Sequence, residues 1–358
     1  MKPKSVTLYD VAEYANVSYQ TVSRVINQAA HVSEKTRLKV EAAMDALNYI
    51  PNRMAQQLAS KLTRTLGFAT SNLALHAPSQ IVAAAKSRAS ELHFNLVISM
   101  TEKPGLEASK TAVSQLLSQR VDGILINIPM EDEQTQEIVR LCGAIPVLFL
   151  DTSPSTEMPH IAFDQLLGAR LGVEHLVGLG HQRIALLAGP QTSVSARLRF
   201  EGWLECLAAH RLVPLAVMHG DWSSLSGYQN VTRLLNEGVI PTALLVANDQ
   251  MALGALRALN EFGLPVPAAV SVVGYDDTED SACFTPPLTT IKQDFKALGK
   301  ISAERLLALI EGEEAFSELL SVSLIERKTT SSLQKDAISP QYLSEELARL
   351  ARQVALLK

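Results

Sequence analysis

Between residues 63 and 330, short apolar runs rich in β-branched residues alternate with stretches of helical periodicity. The runs are TLGFATS, NLVISM, GILIN, VLFLD, IALLAG, ALLVAND and VSVVGYDD. Patterns such as PSQIVAAAKSRASEL and DQMALGALRALNEF lie between them. Strands alternating with helices imply a parallel sheet covered by helices on both faces. A block of about 270 residues is large for one core, so two such layers are expected.

Polar residues cluster where these runs end: Ser71, Asn127, Asp151, Asn248 and Asp276. Any one of them could simply cap the next helix. Five together point to a polar cleft, because open α/β sheets bind ligands at the carboxyl ends of their strands. With Arg199, the Asp and Asn residues offer partners for paired hydroxyls. Leu75, Ile81, Phe163, Trp222 and Phe295 offer apolar platforms. A sugar, with many hydroxyls and an apolar ring face, needs both sets. Trp222 also reads as ordinary packing, but its setting in GDWSS after a strand is loop-like.

The first 50 residues have a different grammar. Thr7-Leu8-Tyr9-Asp10 fits a capping box, so a helix starts there with Val11, Ala12 and Ala15 facing inward. Asn16-Val17 makes a tight turn, and Asn tolerates the left-handed conformation. Ser18 caps a second helix with Val22 and Val25 inward and Tyr19, Gln20, Ser23, Arg24 and Asn27 outward. The outward set consists of base-edge and phosphate hydrogen-bonders. A third helix over roughly 34–48 completes the core with Val40, Ala43, Met44 and Leu47. Two short helices joined by such a turn are a helix-turn-helix. Charge agrees: the chain's net −5 divides into +3 for residues 1–62 and −8 for the remainder. A small basic head on an acidic body is a mark of nucleic-acid binding by the head.

TLYDVAEYANVSYQTVSRVIN and HVSEKTRLKVEAAMDALNYIPNRMAQQLA resemble the head and hinge of the LacI/GalR-type family of bacterial transcription regulators. LHAPSQI, SVSARLRFEGW, LVANDQMALGAL, VSVVGYDDTED and PPLTTIKQDF resemble the core of the same family. The family usually has Gly where this chain has Asn16. The resemblance implies a helix-turn-helix headpiece at 1–50, a hinge helix and linker at 51–62, and a two-lobed sugar-binding core at 63–330. A linker at 331–339 and a tetramerisation helix at 340–358 follow. The core is expected to be periplasmic-binding-protein-like, with two Rossmann-like α/β subdomains.

Residue roles follow from the same resemblance. Tyr19, Gln20 and Arg24 are expected to read bases in the major groove. Ser18, Thr21, Ser23, Asn27, His31, Ser33 and Thr36 are expected to fix the head on phosphate or sugar, with Thr7, Leu8 and Tyr9 also at the DNA. Asn52 and Ala55 belong to the hinge, where Leu58 is the expected apolar wedge in the minor groove. The hinge is only about two turns long, marginal as an isolated helix in water. Arg199, Asn248 and Asp276 are expected to hold sugar hydroxyls, Asn127 and Asp151 the opposite side, and Trp222 the ring, with Ser71 and Gln293 nearby. Leu75, Pro78, Ile81 and Phe163 would shape the pocket for an aglycone or second ring. Lys86 is expected at a dimer interface, where Ser90 stands in place of an acidic neighbour. Leu343, Leu347, Leu350, Val354 and Leu357 follow 4-3-4-3 heptad spacing. The resemblance implies that four such helices bundle.

The function so implied is repression of a galactoside operon through operator DNA, relieved by a galactoside inducer. A sibling regulator for another sugar or a purine is the alternative. A corepressor would use the same parts, so the sequence leaves the sign of coupling open. No G-x-G-x-x-G, G-x-x-x-x-G-K-[ST], H-E-x-x-H or G-x-S-x-G occurs. Neither catalysis nor a cofactor is expected. Cys142, Cys206 and Cys283 are scattered and His175 and His181 are not at ligand spacing, so no metal is expected either. The N-terminus lacks an apolar segment and no run approaches the ~20 residues of a membrane span. A cytoplasmic, nucleoid-associated protein is expected.

Overall fold

The computed structural model describes residues 6–26, 31–49, 62–101 and 105–333. Two compact units divide between Thr63 and Arg64.

The first unit holds helices α1 (Leu8–Tyr14), α2 (Tyr19–Ile26) and α3 (Glu34–Ala46). Each start is written in the sequence. The Thr7 backbone N–H donates to Asp10 Oδ2 at 2.7 Å, and the Asp10 N–H donates to Thr7 Oγ1 at 3.4 Å, closing the capping box. Ser18 accepts from the Thr21 N–H at 3.1 Å and Ser33 from the Thr36 N–H at 3.3 Å. Val11, Ala12, Ala15, Val22, Val25, Val40 and Ala43 form the core, with Met44 and Leu47 partly buried against it. The turn after α1 depends on Asn16, at φ 46°. Asn16→Gly should therefore leave the unfolding midpoint of the head unchanged or raised. Asn16→Val should destabilise it by about 1–2 kcal/mol, as read by circular dichroism on heating.

The second unit is two doubly wound lobes. The N-terminal lobe has strands β1 (Thr65–Thr70), β2 (Asn95–Met100), β3 (Gly123–Asn127), β4 (Val147–Phe149), β5 (His160–Phe163) and β11 (Ser317–Leu320), in the order β11-β5-β4-β3-β1-β2. The C-terminal lobe has β6 (Ile184–Ala188), β7 (Ala216–His219), β8 (Ala243–Val246), β9 (Ser271–Asp276), β10 (Thr289–Lys292) and β12 (Ser323–Ile325), in the order β12-β10-β9-β8-β6-β7. All pairings are parallel except β10 with β12. The central strands are buried along their whole length, as a sheet covered on both faces requires.

Helices α4 (His76–Glu91), α5 (Leu106–Ser118), α6 (Asp132–Cys142) and α11 (Phe295–Ile310) cover the first sheet. Helices α7 (Gln165–Gly178), α8 (Val194–Ala209), α9 (Ser224–Asn236) and α10 (Asp249–Glu261) cover the second. The chain crosses between lobes three times: from β5 to α7, from β10 to α11, and from β11 to β12.

Every strand run named from the sequence forms a strand. The runs not foreseen, β5, β7, β10, β11 and β12, have three or four residues each and, unlike the equally short VLF of β4 and ALLV of β8, include polar residues, so no continuous apolar run marks them. Residues 331–333 were expected to be linker but are bonded to the core. The Ser331 N–H donates to Ser271 Oγ at 3.1 Å and the Leu333 N–H to the Leu179 carbonyl at 2.8 Å. Extended backbone pairing with side chains of the body leaves no local sequence mark.

Candidate functional site

In each sheet the chain winds outward in two directions from its first strand, β1 or β6. The carboxyl ends at these switch points form a crevice, and here the two crevices open onto one cavity of about 590 Å³. From the N-terminal lobe it is lined by Ser71 after β1, Asn127 at the end of β3 and Asp151 after β4. Leu75, Pro78 and Ile81 line it from the start of α4, and Phe163 from the end of β5. From the other lobe come Arg199 on α8, Trp222 before α9, Asn248 before α10 and Asp276 ending β9. Gln293 and Phe295 line it from the β10–α11 crossover. The residues singled out for a sugar are thus brought together.

Arg199 is the centre of the polar wall and is only 5% exposed. Its Nε donates to Gln165 Oε1 at 2.8 Å, its Nη2 to Gln293 Oε1 at 2.7 Å, and its Nη1 to the Ala247 carbonyl. The guanidinium carbon stands 3.9 Å from the Tyr275 ring centroid and 5.6 Å from that of Trp222, within cation–π range. Asp276 Oδ1 lies 3.5 Å from Nη1 but accepts no hydrogen bond from the protein.

Burial pushes the Asp276 carboxyl up to about 8, with Asp249 adding to the rise and Arg199 opposing it. Burial likewise lifts Asp151 to about 6 against the pull of Arg199 and the Ser195 amide. It lifts Asp249 to about 7, although Thr290 Oγ1 and the Thr278 N–H donate to that carboxylate at 2.6 and 2.9 Å. A cavity that holds carboxyls near neutrality suits a neutral, hydroxyl-rich ligand.

Local backbone makes this wall possible. Asp276 adopts φ 116° and Trp222 φ 77°, left-handed conformations of the kind found at ligand sites. The turn at Asp276 separates it from Asp277, whose carboxylate pairs instead with Arg327 at 2.5 Å. Asn248 does two jobs: its Oδ1 caps α10 through the Met251 N–H at 2.9 Å, and its Nδ2 donates to the Trp222 carbonyl at 3.0 Å. A Cβ at Gly189 would lie 2.5 Å from the Trp222 ring, so that glycine makes room for the indole.

Leu75, Pro78, Ile81, Phe163 and Phe295 form the apolar end, with His76 edge-on to Phe295 at 6.0 Å. Burial lowers the His76 pKa, against the raising effect of Asp280, which favours a neutral ring there. The sequence reading missed His76, Gln165, Ser193, Ser195 and Gln250. A signal existed for the serines, which open α8 one turn before Arg199. None existed for Gln165, which reads as a helix-start residue.

In the head, Tyr9, Ser18, Tyr19, Gln20, Arg24, His31 and Ser33 are exposed, and Thr21, Ser23 and Thr36 are partly buried. Thr7 is exposed as the α1 cap and Leu8 packs on the core. The Tyr9 and Tyr19 rings stack at 4.7 Å, which ties the start of α1 to the start of α2. Asn27, Asn52, Ala55 and Leu58 lie outside the described residues, as do Leu343, Leu347, Leu350, Val354 and Leu357. Lys86 and Ser90 are exposed on α4. Among the described residues no group of His, Cys, Asp and Glu could hold a metal ion, and no helix is long and apolar enough to cross a membrane.

A two-lobed core with a ligand cleft between parallel sheets, in one chain with a helix-turn-helix unit, defines a ligand-responsive DNA-binding regulator. Residues 7–52 match the model for bacterial regulatory proteins of the lacI family, and residues 173–330 match the periplasmic binding protein-like domain. The lactose operon repressor of Escherichia coli K12 is 60% identical over 359 residues, covering 100% of this chain and 99% of its own. The chain belongs to the lacI family and is a homologue of the lac repressor. A lac repressor dimer bound to operator and the anti-inducer ONPF superposes with a TM-score of 0.88 at 62% identity, covering 92% of this chain and all of that one. A lac repressor bound to ONPG in the repressed state gives a TM-score of 0.88 at 61% identity, covering 91% and 100%.

Proposed function

We propose that this protein represses a lactose or galactoside utilisation operon by binding operator DNA, and that a galactoside in the cleft releases it. The carrying observation is the cleft wall of Arg199, Asp276, Asn248 and Asp151, drawn from both lobes and facing an apolar end. Carboxyl, amide and guanidinium groups suit paired ring hydroxyls, Trp222 suits the ring face, and the apolar end suits an aglycone. The operator-bound and ONPG-bound relatives support the same reading.

In this reading residues 1–50 form the headpiece and 51–62 the hinge, with Leu58 as wedge. The sugar-binding core follows, and the heptad leucines of 340–358 join two dimers. Lys86 on α4 lies at the dimer seam. The cleft holds the sugar without chemistry, and the protein works in the bacterial cytoplasm on the nucleoid.

Because the cleft is shared by both lobes, ligand binding favours one interlobe geometry. A ligand shifts such an equilibrium only by its differential affinity for the two states. A salt bridge at 2.5 Å joins Glu131, at the start of α6 in one lobe, to Arg197 on α8 in the other. It is one contact that interlobe movement would change.

The DNA half is tested by titrating a lac-type operator duplex and a scrambled duplex at fixed salt. Wild type should prefer the operator, and Gln20→Ala should lose about 1–3 kcal/mol on the operator with little change on the scrambled duplex. Equal affinity of wild type for the two duplexes would refute the assignment.

A further inference from the structure

An arginine side chain has five N–H donors in a planar fork and no acceptor. Three donors of Arg199 are used within the protein: Nε to Gln165, Nη1 to Ala247 and Nη2 to Gln293. One N–H on each terminal nitrogen remains, that of Nη1 next to Asp276 Oδ1 at 3.5 Å, and a pair of vicinal hydroxyls requires two such donors. The direction of that pair is set by rotation of the guanidinium plane, which the Nε acceptor fixes together with the Ala247 and Gln293 bonds and the Tyr275 ring.

That acceptor is Gln165 Oε1, at 2.8 Å. Since Arg199 can only donate, the amide must present its oxygen there. Gln165 is buried at 7% exposure and opens α7 immediately after the first interlobe crossover. The same helical turn also braces the flat face of the guanidinium. The Tyr275 ring lies beneath it at 3.9 Å, and the Tyr275 hydroxyl donates to the Gln165 backbone carbonyl at 3.4 Å. Gly168, also in this turn, leaves space for that hydroxyl, which a Cβ would approach to 2.0 Å. The first turn of α7 thus holds Arg199 at both edge and face.

We propose that Gln165 is a positioning residue for ligand recognition: its side-chain carbonyl orients Arg199 so that the two remaining N–H groups meet the hydroxyls of the bound sugar. This rests on the reading of the cleft as a galactoside site. Gln165 acts through Arg199, so what matters at position 165 is an acceptor of the right length. Charge, volume and helix propensity are secondary.

The test uses the full-length protein and isothermal titration with methyl β-galactoside. Gln165→Met keeps the length and removes the acceptor; Gln165→Glu keeps both. Gln165→Met should weaken binding by about tenfold or more, and Gln165→Glu should remain within about threefold of wild type. Thermal unfolding checks that each variant is folded. If Gln165→Met does not fold, Gln165→Asn takes its place, since its amide is one methylene too short to reach Nε and the same loss is expected. Wild-type affinity in the acceptor-deficient variant, or equal weakness in Gln165→Glu, overturns the role of Gln165. Failure of the wild-type protein itself to bind the galactoside overturns the galactoside reading instead.

Discussion

Asp276→Asn will weaken galactoside binding by about a hundredfold or more while operator affinity stays at the wild-type level. The carboxylate ends β9 inside the cleft, buried, with Oδ1 accepting no hydrogen bond and Arg199 Nη1 3.5 Å away. A sugar that donates two hydroxyls to it stabilises the ionised form through charge-assisted bonds, each contributing about 1.5–3 kcal/mol, which exceeds the roughly 1.4 kcal/mol needed at pH 7 to ionise a carboxyl lifted to about 8. The amide replaces one acceptor with a donor, which opposes a hydroxyl hydrogen and faces Arg199. The head has its own core and caps, so operator contact is retained. Loss of both activities together would indicate misfolding.

The same substitution changes stability in a pH-dependent way. The Asp276 carboxyl is lifted from 3.8 to about 8 in the folded chain. The folded state therefore binds the proton more tightly than the unfolded state. Its stabilising contribution is complete below pH 4 and declines as pH rises towards 8. Asp151 and Asp249, raised to about 6 and 7, act with the same sign over narrower windows. Asp276→Asn carries no proton to lose, so the unfolding midpoint of the core should rise relative to wild type at pH 8 and converge with it below pH 4. Calorimetry at the two pH values reads this directly. A variant less stable than wild type at pH 8 would show that Asp276 is stabilised as the anion.

The second large effect is structural and reaches the site indirectly. Helices α9 and α10 cross so closely that a Cβ at Gly254 would lie 1.9 Å from the Ser224 carbonyl oxygen and 2.6 Å from the Tyr228 nitrogen. Both are backbone atoms, so no rotamer change relieves the contact. Gly254→Ala must push the helices apart and should cost about 3 kcal/mol or more. The beginnings of these helices carry Ser223 and Asn248, and the Asn248 bond to the Trp222 carbonyl spans them. Sugar affinity should therefore fall with stability. Gly178→Ala is the control: it ends α7 with nothing within 4 Å of an added Cβ. That change should be neutral or stabilising by a few tenths of a kcal/mol.

How far the sequence could be read depended on how local the signal was. The three head helices were legible from their helical apolar spacing and, for the first two, from the caps Thr7 and Ser18 within one turn. The central strands were legible as continuous apolar runs. Strands β10 and β12 were not, because TTIK and SLI owe their conformation to neighbouring strands and have little pattern of their own. The cleft was legible where polar residues end strands, as at Asn127 and Asp276, and where the family resemblance supplied positions such as Pro78 and Gln293. Gln165 was invisible because its importance lies in a bond to Arg199, 34 residues away. The closing strap at 331–333 was hidden for the same reason, since its partners Ser271 and Leu179 are remote in sequence.

If sugar in the cleft is coupled to operator at the head, one titration shows it. Operator binding by the full-length protein is followed by fluorescence anisotropy at fixed salt, with and without saturating methyl β-galactoside. The operator Kd should rise by a factor in the range of about 5–150, and operator should weaken galactoside binding by the same factor, because coupling free energy is reciprocal. An operator Kd that is unchanged or lowered by the sugar would mean that the galactoside does not release the protein from operator.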